Sequence, residues 1–129
     1  MVVNLAITAD RYVDFCKGVP EAVERLRAAR RIVLPFVVLA ELRAAFRCGV
    51  HSRANEGNLA RFLQSPRVSV AFADEGTAQV YATLFGELRQ AGTPVPMADL
   101  WIAALVLQHD LVLFTRDRHF DHVPRIARL

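Results

Sequence analysis

Short apolar runs alternate with longer amphipathic ones along the chain, and proline, glycine or a capping side chain marks most changes of pattern. Val2 to Ile7 is a β-branched, apolar run that predicts a buried strand. Thr8-Ala9-Asp10 is the turn out of it, with Asp10 as N-cap of a helix through about Cys16 that Gly18 stops. Pro20 to about Ala29 predicts a second helix, with Glu21 and Arg25 as a surface pair at i, i+4. A strand at Ile32-Val33-Leu34 follows, and Pro35 opens an apolar helix from Phe36 to about Arg47, ended by Gly49. Ser52 to about Leu63 is a more polar helix with Leu59, Phe62 and Leu63 as its inner stripe. Pro66 breaks it before a strand at Val68-Ser69-Val70. Asp74 then caps a long amphipathic helix to about Ala91, with Val80, Leu84 and Leu88 inward and Gly92 as its stop.

The next stretch organises the rest. Pro94-Val95-Pro96-Met97-Ala98-Asp99 opens a helix whose continuation, Leu100 to Leu107, is apolar nearly all round, so the helix is expected to be buried. Proline is tolerated there because a first-turn N–H has no intrahelical partner. Asp99 gains from the positive end of the helix. A strand, Leu111 to Phe114, leads to Thr115-Arg116-Asp117; a short turn follows at Arg118 to His122, and Arg125-Ile126-Ala127 is a candidate last edge strand. Strands alternating with helices predict an α/β fold, a mainly parallel sheet of four or five strands with helices on both faces. No repeat, linker or low-complexity tract divides the chain, so residues 1–129 are expected to form a single domain.

Composition changes this picture little. The chain of 129 residues is 53% hydrophobic, enough for a real core. Its apolar runs fall short of the ~18–20 residues that span a bilayer. No basic leader precedes the first strand, and Cys16 and Cys48 have no metal-type spacing; the expected compartment is the cytoplasm. The net charge is +3 and Lys17 is the sole lysine, every other fixed cation being arginine. Arginine suits bidentate contact with phosphate, although a GC-rich genome produces the same bias. No Walker-type loop or GxGxxG occurs, and a phosphoacceptor fold would need a lysine late in the chain.

Among thirteen acids, most read as solvated or capping, Asp14 and Asp110 with them. Glu41, Asp99 and Asp117 differ: each lies among apolar residues at an element start or within a buried helix. Buried carboxylates are normally paired or bound to a cation. The bland reading pairs Glu41 and Asp99 with arginines such as Arg43 or Arg116. The sharper one gathers the three at strand ends around Mg²⁺ or Mn²⁺, which favour oxygen ligands.

Four stretches, in order, resemble a PIN-domain ribonuclease of the VapC toxin type: Leu5 to Tyr12, Leu34 to Arg43, Ala98 to Ala104, and Phe114 to Phe120. The resemblance implies a Mg²⁺- or Mn²⁺-dependent endoribonuclease, usually a homodimer, acting on RNA and neutralised by a cognate antitoxin. It carries Glu41, Asp99 and Asp117 over as the catalytic and metal-binding acids, with Thr115 as a supporting hydroxyl and Arg116 beside it. Arg43, Arg118 and His119 become candidate RNA contacts; for His119 and His122 a surface turn is the ordinary explanation.

One position departs from the pattern. The family's opening motif begins with a metal-ligating aspartate, and the matching residue here is Thr8. A neutral hydroxyl is a poorer ligand for a hard cation. Asp10, two residues on, is a substitute metal ligand if it is not the helix cap, and Asp14 a more distant one. The rival reading is therefore a catalytically inactive PIN-fold protein that binds RNA or an antitoxin peptide.

Overall fold

Successive residues of a strand point to opposite faces, yet Leu5, Ala6 and Ile7 are all fully buried, and the run Ile32 to Leu34 is buried as well. Both faces of the sheet are therefore covered. The computed structural model describes residues 3–129, so the expected strand start at Val2 lies outside the described residues. The elements are β1 (Asn4–Ile7), α1 (Ala9–Cys16), α2 (Pro20–Ala28), β2 (Arg31–Pro35), α3 (Phe36–Cys48), α4 (Ser52–Leu63) and β3 (Val68–Ala71). They continue as α5 (Glu75–Ala91), α6 (Met97–Gln108), β4 (Val112–Phe114), a 3-10 turn (Arg118–His122) and β5 (Ala127–Arg128).

The five strands lie in the order β3-β2-β1-β4-β5 and every pairing is parallel. All strand C-terminal ends therefore meet one edge. The chain winds outward from β1 through β2 to β3, then returns past β1 to β4 and β5. The winding reverses between β1 and β4, where Ile7 pairs with Phe114. In open α/β sheets the crevice at such a reversal is where ligands bind. The residues just beyond those two strand ends are Thr8 and Thr115.

Helix α6 sets the depth of that edge. Leu100 and the run Ile102 to Val106 are buried, on every side of the helix. Fully burying one such leucine contributes roughly 1.5–3 kcal/mol. Pro96 is its N-cap, with φ −55° and ψ 148°. The far end is tied to α5, where Asp74 and Thr77 form a capping box and Gln108 Nε2 donates to Asp74 Oδ1 at 2.8 Å. No helix among the described residues is long and apolar enough to cross a membrane.

Three local expectations are corrected. Thr8, not Asp10, occupies the N-cap of α1, and Asp10 sits in its first turn. Glu21 reaches Arg11 at 3.5 Å rather than Arg25. Asp14 is not solvated: it is 8% exposed and bridges two arginines. Arg11 Nη1 approaches its Oδ2 at 3.2 Å, and Arg116 clamps it through Nε at 2.9 Å and Nη2 at 3.1 Å. The Arg11 guanidinium also lies 4.2 Å from the centre of the Phe114 ring, a cation–π contact under the end of β4.

Hydrogen bonding from Arg116, and then from Arg11, holds the Asp14 carboxyl below its ordinary range against the opposing effect of burial. An acid lowered in the folded state stabilises the fold above its unfolded value, and that contribution is lost as pH falls through the folded value. Asp14→Asn is therefore expected to cost on the order of 2–3 kcal/mol at neutral pH, since it leaves Arg11 buried without this partner. The deficit should close as pH drops below the ordinary aspartate value of 3.8; chemical denaturation of both proteins across that range measures it.

Candidate functional site

The prospective site residues come from α3, from the first turn of α6 and from the turn after β4, at the C-terminal edge of the sheet. Asp99 stands in the first turn of α6 and is 9% exposed. Asp117 follows β4 and caps the 3-10 turn, its Oδ1 accepting the His119 N–H at 2.9 Å. That turn swings the His119 ring back between the two acids. Its Nδ1 lies 2.9 Å from Asp99 Oδ2 and 3.1 Å from Asp117 Oδ1. Asp99, Asp117 and His119 thus offer donor atoms all within 4.8 Å of one another. Glu41, one turn into α3, stands outside this tight group but feels the charges of Asp99, Asp117 and Asp10.

The arginine pairing weighed from the sequence does not occur. Arg116 is turned onto Asp14, and Arg43 reaches Glu56 at 3.4 Å on the surface. Among the described residues no arginine or lysine is ion-paired with Glu41, Asp99 or Asp117. Arg118 projects into solvent with its side chain 92% exposed.

The titration tendencies follow from this geometry. Burial and then the charge of Asp117 push the Asp99 carboxyl up, while the His119 contact pulls it down. The Asp117 charge and the bond to Asp99 push His119 up. Loss of water, then the charges of Asp99, Asp117 and Asp10, push Glu41 up. Two carboxylates, an imidazole nitrogen and a third acid within electrostatic reach, with no guanidinium quenching them, make a donor set that fits a divalent cation.

Thr8 and Thr115 join the ends of β1 and β4. Their hydroxyls lie 2.9 Å apart. Thr8 also donates to Asp10 Oδ1, and Thr115 Oγ1 accepts the Asp117 N–H at 3.1 Å. Asp10 further accepts the Arg11 N–H at 2.8 Å and the Arg116 N–H at 3.1 Å. Its oxygens are thereby committed to the scaffold, in a place where the sequence offered it as a substitute ligand. Arg128 on β5 braces the same loop, donating from Nη2 to the Thr115 and Asp117 carbonyls at 3.4 Å and 3.3 Å. Nothing in the local sequence marked Arg128, because its partners are set by the last strand's register.

Residues 17–126 match the family described as PIN domain. The chain belongs to the PIN-domain family. Its curated relatives include Ribonuclease VapC4 of Mycobacterium tuberculosis (strain ATCC 25618 / H37Rv), 29% identical over 90 residues, covering 70% of this chain and 69% of that protein. Among solved structures, the DNA-bound VapBC of Salmonella typhimurium superposes with a TM-score of 0.87 at 24% identity, over 99% of this chain and 98% of that one. VapBC-5 of Mycobacterium tuberculosis, a member of the VapBC family of toxin–antitoxin systems, gives 0.72 at 24% identity with both chains fully covered. These likenesses establish the PIN fold.

The Glu41 environment in this PIN domain generates a pH-dependent expectation. An acid raised in the folded state costs stability once pH exceeds its unfolded value, and the cost is complete above the folded value. Glu41→Gln should therefore match the parent below pH 4.5, the ordinary glutamate value, and be the more stable of the two at pH 7 without metal. Thermal melts in chelator at both pH values measure this; a lower melting point for Glu41→Gln at pH 7 would show a structural pair instead.

Proposed function

We propose that this PIN domain is a divalent-metal-dependent endoribonuclease of the VapC toxin type, held in check by a cognate antitoxin. The observation that carries the reading is the approach of Asp99 and Asp117 at the sheet's reversal point with no guanidinium to neutralise them. The name of the Mycobacterium tuberculosis relative supports ribonuclease chemistry. The toxin–antitoxin description of VapBC-5 supports an antitoxin partner. A homodimer in the cytoplasm completes the reading; exposed Phe72, Phe85 and Met97 are apolar surface open to such partners.

In this reading Asp99 and Asp117 hold the ion, Mg²⁺ or Mn²⁺, with Glu41 as the third acid. A divalent ion held by these residues would supply positive charge at the scissile phosphate and lower the pKa of a bound water. Glu41, raised in its affinity for protons, is suited to take the proton of the attacking water. Thr115 holds the Asp117 backbone in place through the N–H it accepts. Arg116 is kept off the acids by Asp14, so their charge remains available to the cation. Exposed Arg118, with Arg43 on α3, supplies phosphate contacts along an RNA strand.

A second reading has its own observation. Thr8 is a neutral strut, and Asp10 is committed to three donors; a centre short of its first acid fits a PIN-fold protein that binds RNA or an antitoxin segment without cutting.

An RNA cleavage assay separates the two. Under the nuclease reading, cleavage appears with Mn²⁺, disappears in chelator, and falls by at least about a hundredfold in Asp99→Asn. Thr8→Asp should raise Mn²⁺-dependent cleavage tenfold or more, about 1.4 kcal/mol of transition-state stabilisation. RNA binding without metal-dependent cleavage, in the parent and in Thr8→Asp alike, supports the binding protein.

A further inference from the structure

The sharpest grouping of possible ligands among the described residues contains a histidine that an all-carboxylate centre does not need. The side-chain partners of His119 are Asp99 and Asp117 alone. Its backbone N–H donates to Asp117, so the ring is delivered by the same turn as its neighbour acid. Arg128 and Thr115 fix that turn from outside. We propose that His119, through Nδ1, is a nitrogen ligand of the divalent centre, giving the site a preference for Mn²⁺ and later first-row ions over Mg²⁺. This rests on the metal-centre reading above and adds to it a ligand and an ion preference.

The distances fit a shared ion. Neighbouring ligands around an octahedral ion with bonds of about 2.1 Å stand about 3.0 Å apart. The Nδ1 separations from Asp99 Oδ2 and Asp117 Oδ1 are 2.9 Å and 3.1 Å. The chemistry fits as well. The Thr8 hydroxyl is committed to Asp10 and Thr115, and the imidazole adds to the two carboxylates a donor of softer character. Nitrogen donors add little for Mg²⁺, which favours oxygen and releases water reluctantly, whereas affinity rises along the first row from Mn²⁺ through Co²⁺ to Ni²⁺.

Titration calorimetry of the metal-free full chain with Mg²⁺, Mn²⁺ and Co²⁺, joined to pulsed electron paramagnetic resonance of the Mn²⁺-loaded protein, tests this. The parent should show modulation from one imidazole ¹⁴N on Mn²⁺, absent in His119→Ala. Co²⁺ affinity should fall about tenfold or more in His119→Ala, with Mg²⁺ affinity changed by less than about threefold. Because the nitrogen signal is read on the parent, a folding defect in the variant does not obscure the result. Mn²⁺ binding that depends on Asp99, judged against Asp99→Asn, but carries no nitrogen coupling overturns the His119 assignment and leaves the metal centre standing. Equal losses of Mg²⁺ and Co²⁺ affinity in His119→Ala overturn it as well. No Asp99-dependent binding of any of the three ions overturns both readings.

Discussion

Two carboxylates held within a few ångströms of each other need a positive charge nearby, or one of them must keep its proton. Asp99 and Asp117 are put in that position by the backbone. A parallel sheet sends every strand end to one edge, and the reversal of winding between β1 and β4 opens a crevice there. Helix α6 is buried on all sides and cannot rotate Asp99 away without exposing apolar surface. The 3-10 turn after β4 fixes Asp117 through its own cap. The surrounding packing thus holds the acids together against their repulsion, and a half-exposed histidine is the partner set against them.

What keeps the site negative is a second carboxylate network placed a turn away. Arg116 sits between Thr115 and Asp117 in sequence and would be the natural counter-ion. Asp14 draws it off with a two-pronged contact, and Arg11 completes the bridge beneath. Asp14 is therefore positioned by the site's needs as much as by the core's. Arginine also favours this arrangement for its own reasons, since its planar fork matches the carboxylate geometry.

The fold was legible wherever a local signal decides an element. Asp74 with Thr77, Gly92, Pro35 and Pro66 act over three or four residues, and the helices they bound lie where the pattern put them. The parallel sheet also follows from the alternation of strands and helices, whereas the strand order β3-β2-β1-β4-β5 depends on long-range pairing that no local signal carries. Side-chain partners were less legible because they depend on elements far apart in sequence. Asp10 reads as a cap until the loop after β4 brings the Arg116 N–H against it. Asp14 reads as solvated until that same loop covers it. His119 reads as a surface-turn residue until α6 presents Asp99 from twenty positions earlier. In each case the missing information is the approach of the Thr115 to His119 loop.

The hydroxyl of Thr8 bears on that loop as well. Each threonine hydroxyl carries one proton, and an ionised carboxylate only accepts. With the Thr8 proton directed to Asp10, the proton between the two hydroxyls comes from Thr115, whose oxygen is then free to accept the Asp117 N–H. The chain of bonds thus runs one way, from the Asp117 backbone through both threonines to Asp10, and it fastens β1 to β4 without any ion. An aspartate at position 8 would face Asp10 as a second acceptor, and the link would need a cation to close it. The neutral residue therefore trades a ligand for a fixed strut, and the negative charge that lacks a guanidinium is left on Glu41, Asp99 and Asp117. Position 8 in this way governs how strongly the crevice demands a cation, although its side chain points into the scaffold that supports the acids.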